Sequence, residues 1–213
     1  MNTQIDQLRA LVASRFPTAM QTDFSRPSHV NGGVELVPGA LVEIVATNQV
    51  AGAGLLLLHI CNQAVGPVAF VDASDALDLA AIPLGLRNRL LWLRGHGVGD
   101  SLKATDLLLR DGNLSSVLLD LRQVPLAQLS GVSSSVWHRL RMLAERAHAG
   151  VMVFTSHKAV GCAAVRWLVS GAFRLDDVQE EQAGLLGGLN PICQRGFGYT
   201  APRVGNTDLS LQS

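Results

Sequence analysis

The feature that most restricts the fold of this chain is an alternation of short apolar runs with helical patterns between residues 40 and 157. Five runs predict strands: ALVEIVA, PVAFVDA, RLLWLRG, SSVLLDLR and VMVFTSH. The stretches between them predict helices, of which GAGLLLLHICNQA is apolar on nearly every side and therefore expected to be buried. Such an alternation predicts an α/β fold, in which a mostly parallel sheet is flanked by helices on both faces.

Turn and cap residues predict where the later helices begin and end. DALDLAAIPLG predicts a short helix that ends at Gly85. GDSLKATDLLLRDG predicts a helix with Asp100 or Ser101 as N-cap and Gly112 just beyond its end. SSSVWHRLRMLAERAHAG predicts a capped helix before the fifth strand. After Ala172 the pattern changes, and GAFRLDDVQ predicts one more strand.

The chain outside this alternation predicts short additions to one core domain. Residues 1–17 predict an N-terminal helix, followed by a polar linker over residues 18–38. The core domain is expected to span residues 39–194, with a flexible tail over residues 195–213. The N-terminal helix could dock on its own sheet or on another protein, because its apolar face carries Ile5, Leu8, Leu11 and Val12.

Composition excludes several classes of protein. Seventeen basic and seventeen acidic residues give no net charge that would attract nucleic acid or anionic lipid over the whole surface. Three scattered cysteines do not suggest a disulfide framework, and the six histidines show no spacing typical of metal ligands. The first residues do not resemble a signal peptide, and no apolar run is long enough to cross a bilayer. We therefore expect a cytoplasmic protein without a metal site.

Six segments in order resemble the core of the RecA recombinase, from about Pro38 to Asp177. They are the VEI of the first strand, DASDALD after the second, the helix over residues 102–112, Asp120 in SVLLDLR, the strand VMVFTSH, and VSGAFRLDD. The resemblance implies a RecA-like fold of the P-loop NTPase type. It also implies that Asp120 stands at the position of the Walker B aspartate.

The resemblance further implies that the phosphate-binding loop is degenerate. A P-loop needs glycines for close backbone approach, a lysine for the β- and γ-phosphates and a hydroxyl for Mg²⁺. Ala46 and Ala51 stand at the two glycine positions, Gly52 at the lysine and Ala53 at the hydroxyl. We therefore expect no ATP hydrolysis, no nucleotide cofactor and no catalytic residue.

The remaining polar residues at strand ends allow two interpretations. Asp120 is either a vestigial Mg²⁺ ligand or an aspartate that caps the next turn, and we favour the second because its phosphate partner is missing. Asp72, Asp75 and Asp78 are interpreted as charges at the N-terminus of the next helix. His157 is interpreted as a polar residue at the end of its strand.

Five cations form a candidate surface for DNA or a protein partner. Arg139, Arg141 and Arg146 lie on one predicted helix, while Lys158 and Arg166 follow the fifth strand. Such residues usually form a solvated face. Because phosphate contacts dominate affinity for DNA, so few cations predict weak or absent DNA binding.

A RecA core without a working P-loop is similar to the ImuA/SulA-like group of bacterial damage-response proteins, and the motif VPGALVEI favours this group. The resemblance implies a protein-interaction factor in translesion mutagenesis. Its implied partners are an ImuB-like protein, a polymerase or RecA, and a homo-oligomer is a further option. The alternatives are a SulA-like inhibitor of cell division, a residual nucleotide binder using Asp120 and a remodelled loop, and a DNA-binding accessory factor.

Overall fold

The structure is a computed structural model, and it describes residues 28–29, 34–46, 52–171 and 182–196 together with Gln7. Within these ranges the strands are β1 (Ser28–His29), β2 (Glu35–Leu36), β3 (Leu41–Ala46), β4 (Val68–Asp72), β5 (Leu90–Arg94), β6 (Ser116–Asp120), β7 (Gly150–Thr155), β8 (Val165–Ser170) and β9 (Asn190–Gly196). The helices are α1 (Ala53–Gln63), α2 (Leu84–Arg87), α3 (Val98–Asp111), α4 (Leu126–Ser130), α5 (Ser134–Ala147) and α6 (Gln182–Gly187), with a 3₁₀ turn at Leu79–Ala81.

Strands β3 to β9 form one sheet in the order β5-β4-β6-β7-β3-β8-β9. The first six strands in this order are parallel, and β9 runs antiparallel to β8 at the edge. Every residue of β3, β4, β6 and β7 is buried, because both faces of these strands are covered. The mostly parallel sheet that the sequence predicts is confirmed.

Helices cover both faces of the sheet, as the sequence predicts. On one face, Val42 and Phe70 pack with residues of α1, α2 and α6. On the other face, Leu41 and Val71 pack with residues of α3, α4 and α5. Successive residues of a strand point to opposite faces, so each central strand contributes to both cores.

Two predicted helices differ from the structure at their ends. The segment predicted as one helix to Gly85 contains a 3₁₀ turn and the short helix α2, because Pro83 lacks an N–H and precedes α2 as its N-cap. Helix α3 begins at Val98 after Gly97, so neither Asp100 nor Ser101 is the N-cap. Its end is as predicted, since Gly112 adopts φ 74°, which favours glycine.

The region after the fifth predicted strand also differs. The stretch VRWLVS, for which no element was predicted, forms β8 between β3 and the edge strand β9, with alternate residues buried. Strand β9 and helix α4 had no clear pattern in the sequence. Most of the strand predicted over residues 171–179 lies outside the described residues, as do most of the predicted N-terminal helix and tail.

The predicted linker contributes to the core at its C-terminal end. Strands β1 and β2 form a small antiparallel ribbon, and Val34 and Leu36 are buried with residues of α1 and the sheet. Gly150 is required where β7 begins, because a Cβ there would lie 2.1 Å from Cδ2 of Leu36. The ribbon therefore packs against the end of the sheet opposite to the carboxyl ends of its parallel strands.

The C-terminus of α1 is capped by a side chain from a distant part of the chain. Both terminal nitrogens of the Arg89 guanidinium donate to backbone carbonyls, those of Cys61, Asn62, Ala64 and Gly66. A cation at this end also complements the helix dipole. Burial lowers the pKa of Arg89, partly offset by Cys61, whereas burial raises the pKa of the Cys61 thiol to about 12. Arg89 thus fixes α1 to the start of β5.

In the part of the chain that the structure describes, no helix is long and apolar enough to cross a membrane.

Candidate functional site

The carboxyl ends of the parallel strands meet along one edge of the sheet, where ligands bind in open α/β folds. A cavity of about 380 Å³ opens there, between α1 and the segment that follows β4. Its lining combines apolar side chains with two carboxylates and one cation: Gly52, Gly54, Leu55, Leu57, Leu58, Phe70, Ala76, Leu77, Asp78, Ala81, Asp120 and Arg122.

The described part of the predicted phosphate loop consists of its two ends. Ala46 ends β3, and Ala53 begins α1; both are buried and pack against each other. Gly52 adopts φ 66° as the N-cap of α1, a left-handed conformation that glycine adopts without strain. Ala51 and residues 47–50 lie outside the described residues. A strand therefore ends at Ala46 and a helix begins at Ala53, on either side of the segment that the sequence predicts as a phosphate loop.

Asp120, at the end of β6, is bound by a neighbouring cation. Arg122 donates from Nε to Oδ1 at 2.9 Å and from Nη2 to Oδ2 at 2.6 Å, and its backbone N–H also reaches Oδ1 at 3.1 Å. The Asp120 side chain is 5% exposed and that of Arg122 19%. Such a bidentate contact is among the stronger hydrogen-bonded ion pairs. The backbone contact is the turn cap that the sequence suggested.

Arg122 also lies beside the first turn of α1. A Cβ at Gly54 would lie 3.6 Å from Nη1 of Arg122, so the guanidinium sits between Asp120 and this helix. Its carbon also lies 5.9 Å from the centre of the Phe154 ring. No role was predicted for Arg122, although an arginine two residues after a strand-end aspartate is a signal for this pair.

Among the described residues of this edge, Asp120, Gly52 and Ala53 do not fit a magnesium nucleotide. Mg²⁺ and the phosphates need oxygen ligands and a cation that are not already engaged. Both oxygens of Asp120 accept from Arg122, and Gly52 and Ala53 carry neither an ammonium nor a hydroxyl. Among the described residues, no three His, Cys, Asp or Glu side chains gather where they could hold a metal ion.

The carboxylate of Asp72 organises the loop after β4. It accepts from the backbone N–H groups of Ser74 at 3.2 Å, Ala76 at 3.1 Å and Leu77 at 3.0 Å, and its residue is fully buried. Asp75 lies in a left-handed turn at φ 52°. The interpretation of Asp72 and Asp75 as charges at a helix N-terminus is wrong, because Asp72 ends a strand and no helix begins directly after Asp75.

Two other polar residues of the loops at this edge have local roles. Asp78 accepts from the N–H of Ala80 at 2.8 Å and so caps the 3₁₀ turn. His157 follows β7, and its Nδ1 lies 3.2 Å from Oγ of Ser156.

Another buried carboxylate, that of Glu43, was not identified as important from the sequence. It lies in β3 and is fully buried. Its Oε1 accepts from Oγ1 of Thr155 at 3.2 Å and from the N–H groups of Ala159 at 2.7 Å and Val160 at 3.0 Å. Its Oε2 accepts from Nε of Arg166. The sequence contained a signal for this role, because a charged residue inside an apolar strand must be paired when it is buried.

The contact with Glu43 corrects the role predicted for Arg166. Its side chain is 13% exposed, and its Nη2 donates to the carbonyl of Val160 at 2.7 Å. Arg166 therefore fixes the loop between β7 and β8 and is not part of a cationic surface. Lys158 in the same loop is exposed.

The three arginines of α5 are exposed or partly exposed, and two of them form ion pairs with acidic residues. Nε of Arg139 lies 2.6 Å from Oδ1 of Asp106, which belongs to α3. Nε of Arg141 lies 3.4 Å from Oε1 of Glu145, one turn further along α5. Arg146 is exposed in the last turn. The pairs reduce the positive potential that this face offers to a phosphate backbone.

Comparison with known proteins bears on the fold alone. No protein-family model matches the sequence, and no curated protein matches it either. Among solved structures, the chain is similar to the crystal structure of the RadB recombinase, with a TM-score of 0.52 and 12% sequence identity. The match covers 65% of this chain and 78% of that chain. The sheet, its flanking helices and this likeness together establish that the chain has a RecA-like α/β fold.

Proposed function

We propose that this RecA-like protein has no ATPase activity and acts by protein–protein contact. The observation that carries the proposal is the bidentate pair of Asp120 with Arg122 at the edge of the sheet. In RecA-like enzymes, catalysis depends on electrostatic stabilisation of the transferred phosphoryl group. Here an arginine engages the one acidic residue retained from that machinery, and Gly52 and Ala53 supply no replacement.

The charges around the cavity support the same proposal. The described residues of its lining include Asp78 and Asp120 but one cation, Arg122, which is already paired. A triphosphate brought into this cavity would therefore meet more negative than positive charge, and Coulomb repulsion would oppose its binding. An enzyme that works on phosphates needs the opposite balance.

We further propose a role in the bacterial DNA-damage response, of the ImuA-like kind that supports translesion mutagenesis in the cytoplasm. The support is the resemblance of the sequence motifs to that group, together with the RecA-like fold. Its partners would be an ImuB-like protein, a polymerase or RecA. Deleting the gene should lower damage-induced mutation without changing cell division, whereas a SulA-like inhibitor would arrest division on overexpression.

A residual nucleotide binder is the second candidate, favoured by the position of the cavity at the carboxyl ends of β3, β4 and β6. Thermal unfolding of the purified chain with 1 mM ATP·Mg²⁺ or ADP separates the two candidates. A site with a Kd of about 10 µM would add about 2.7 kcal/mol at this concentration. For a chain of this size, that gain raises Tm by about 5–10 °C.

We expect no shift with either nucleotide and no phosphate release above the buffer rate. Asp120→Asn is the control variant, because it keeps the shape of the side chain while removing its charge. A Mg²⁺-dependent shift that Asp120→Asn abolishes would refute the proposal and favour the nucleotide binder.

A further inference from the structure

The cavity beside α1 has an apolar wall that the proposed function does not explain. Leu55 of α1, Leu77 and Ala81 contribute surface to it, and Ala81 is exposed while the two leucines are partly buried. Leu84, three residues after Ala81, is 77% exposed. Covering these side chains with another apolar surface would remove them from water and stabilise the contact.

The charge at this cavity selects the kind of side chain that could cover it. Arg122 and Asp120 neutralise each other, whereas Asp78 lies at the exposed side of the lining. The Asp78 carboxylate accepts from the backbone N–H of Ala80, and no described cation forms an ion pair with it. A covering segment should therefore combine an apolar face with a cation at its edge.

We propose that the N-terminal helix of the same chain covers this cavity. Residues 3–15 place Ile5, Leu8 and Val12 on one helical face. Arg9 follows Ile5 by one turn and so lies at the edge of this face, where it can approach Asp78. Gln7, the described residue of this segment, is helical and exposed, and it lies away from the apolar face.

The attachment of the N-terminal segment is compatible with this position. Residues 1–27 lead to β1, and β1 contacts α1 on the same face of the sheet as the cavity. Residues 16–27 can span about 40 Å when extended, whereas α1 is only about 16 Å long. The groove between α3 and α5, the other apolar candidate, lies across the sheet.

Hydrogen exchange of the full-length chain tests the docking. Leu8→Glu places a charge on the apolar face, and Gln7→Glu places the same charge on the exposed face as a matched control. We expect Leu8→Glu to speed exchange about tenfold in residues 53–58 and 76–81, and the control to leave it unchanged. Exchange in residues 102–109 of α3 reports whether the variant is folded. Unchanged protection of the cavity in a folded Leu8→Glu variant would overturn the proposal.

A charge exchange tests the position of Arg9. Asp78→Arg is expected to speed hydrogen exchange in residues 3–15, because the new arginine would repel Arg9. Arg9→Asp in the same chain should restore the protection. If Asp78→Arg changes nothing, or if protection is lost on about tenfold dilution of the wild type, the helix does not dock on the cavity of its own chain.

Discussion

Replacing Glu43 with glutamine is expected to destabilise the protein strongly although the two side chains have nearly the same shape. Glu43 is fully buried and its carboxylate is the charged partner of Arg166, whose side chain is 13% exposed. Glutamine can still accept the N–H groups of Ala159 and Val160, so the loop contacts remain possible. The variant therefore removes the charge together with the acceptor of Arg166, because the amide nitrogen of glutamine donates and cannot accept from Nε of Arg166.

The magnitude follows from the burial of the cation that remains. Removing one partner of a buried ion pair leaves an uncompensated charge and typically costs about 3–5 kcal/mol. Replacing both partners removes that penalty, although Arg166→Met also deletes the 2.7 Å bond to the carbonyl of Val160. That bond contributes about 1 kcal/mol. The double variant Glu43→Gln with Arg166→Met should therefore be more stable than Glu43→Gln alone, by about 2–4 kcal/mol.

Urea unfolding followed by tryptophan fluorescence measures these differences. Trp167 lies in β8 next to Arg166 and is buried, so its emission reports on this part of the sheet. The slope of the unfolding free energy with urea should stay the same in all variants. The reasoning fails if Glu43→Gln costs less than about 1 kcal/mol, or if the second substitution adds a further loss.

Three further variants or measurements test the other contacts. Arg89→Met should lower the free energy of unfolding by about 2–4 kcal/mol, since several carbonyls at the end of α1 lose their donor. Arg110→Met at an exposed arginine serves as the control and should cost under about 1 kcal/mol. Equal losses in Tm for the two variants would contradict the capping role. Asp72→Ala should cost about 2–4 kcal/mol and speed hydrogen exchange in residues 74–77, with Asp72→Asn losing less because it keeps one acceptor oxygen. The Cys61 thiol should resist iodoacetamide at pH 8 until the protein unfolds. Because its pKa is raised to about 12 by burial, its contribution to stability should be complete below about pH 8.5. That contribution should be lost as the pH rises through 12, and Cys61→Ala should lack this alkaline dependence in urea unfolding.

The sequence predicted those parts of the fold that depend on local patterns. The five apolar runs became β3 to β7, because a strand buried on both faces is apolar throughout. The end of α3 at Gly112 was predictable because a left-handed residue favours glycine. Strand β8 was not predictable in the same way. Its partly exposed residues, including Arg166, interrupt the apolar run, and its place beside β3 depends on contacts far along the chain.

The candidate site was predictable in composition but not in geometry. The sequence identified the positions of Gly52, Ala53 and Asp120, since motif spacing is local. It did not give the pairing of Asp120 with Arg122, which depends on the direction of the chain after β6. Arg166 was assigned to a surface for the same reason, because only the register of β8 with β3 places it opposite Glu43.

The position of β3 in the sheet has a consequence for the synthesis of the chain. Leu41 pairs with Val151, and Val42 pairs with Val165, so both neighbours of this strand are made long after it. At typical rates of translation, β7 and β8 are synthesised roughly 5–20 s after β3. During this interval, an apolar strand with two unpaired edges is available to other chains. Refolding from denaturant is therefore expected to be slow and sensitive to protein concentration, because this central pairing is non-local.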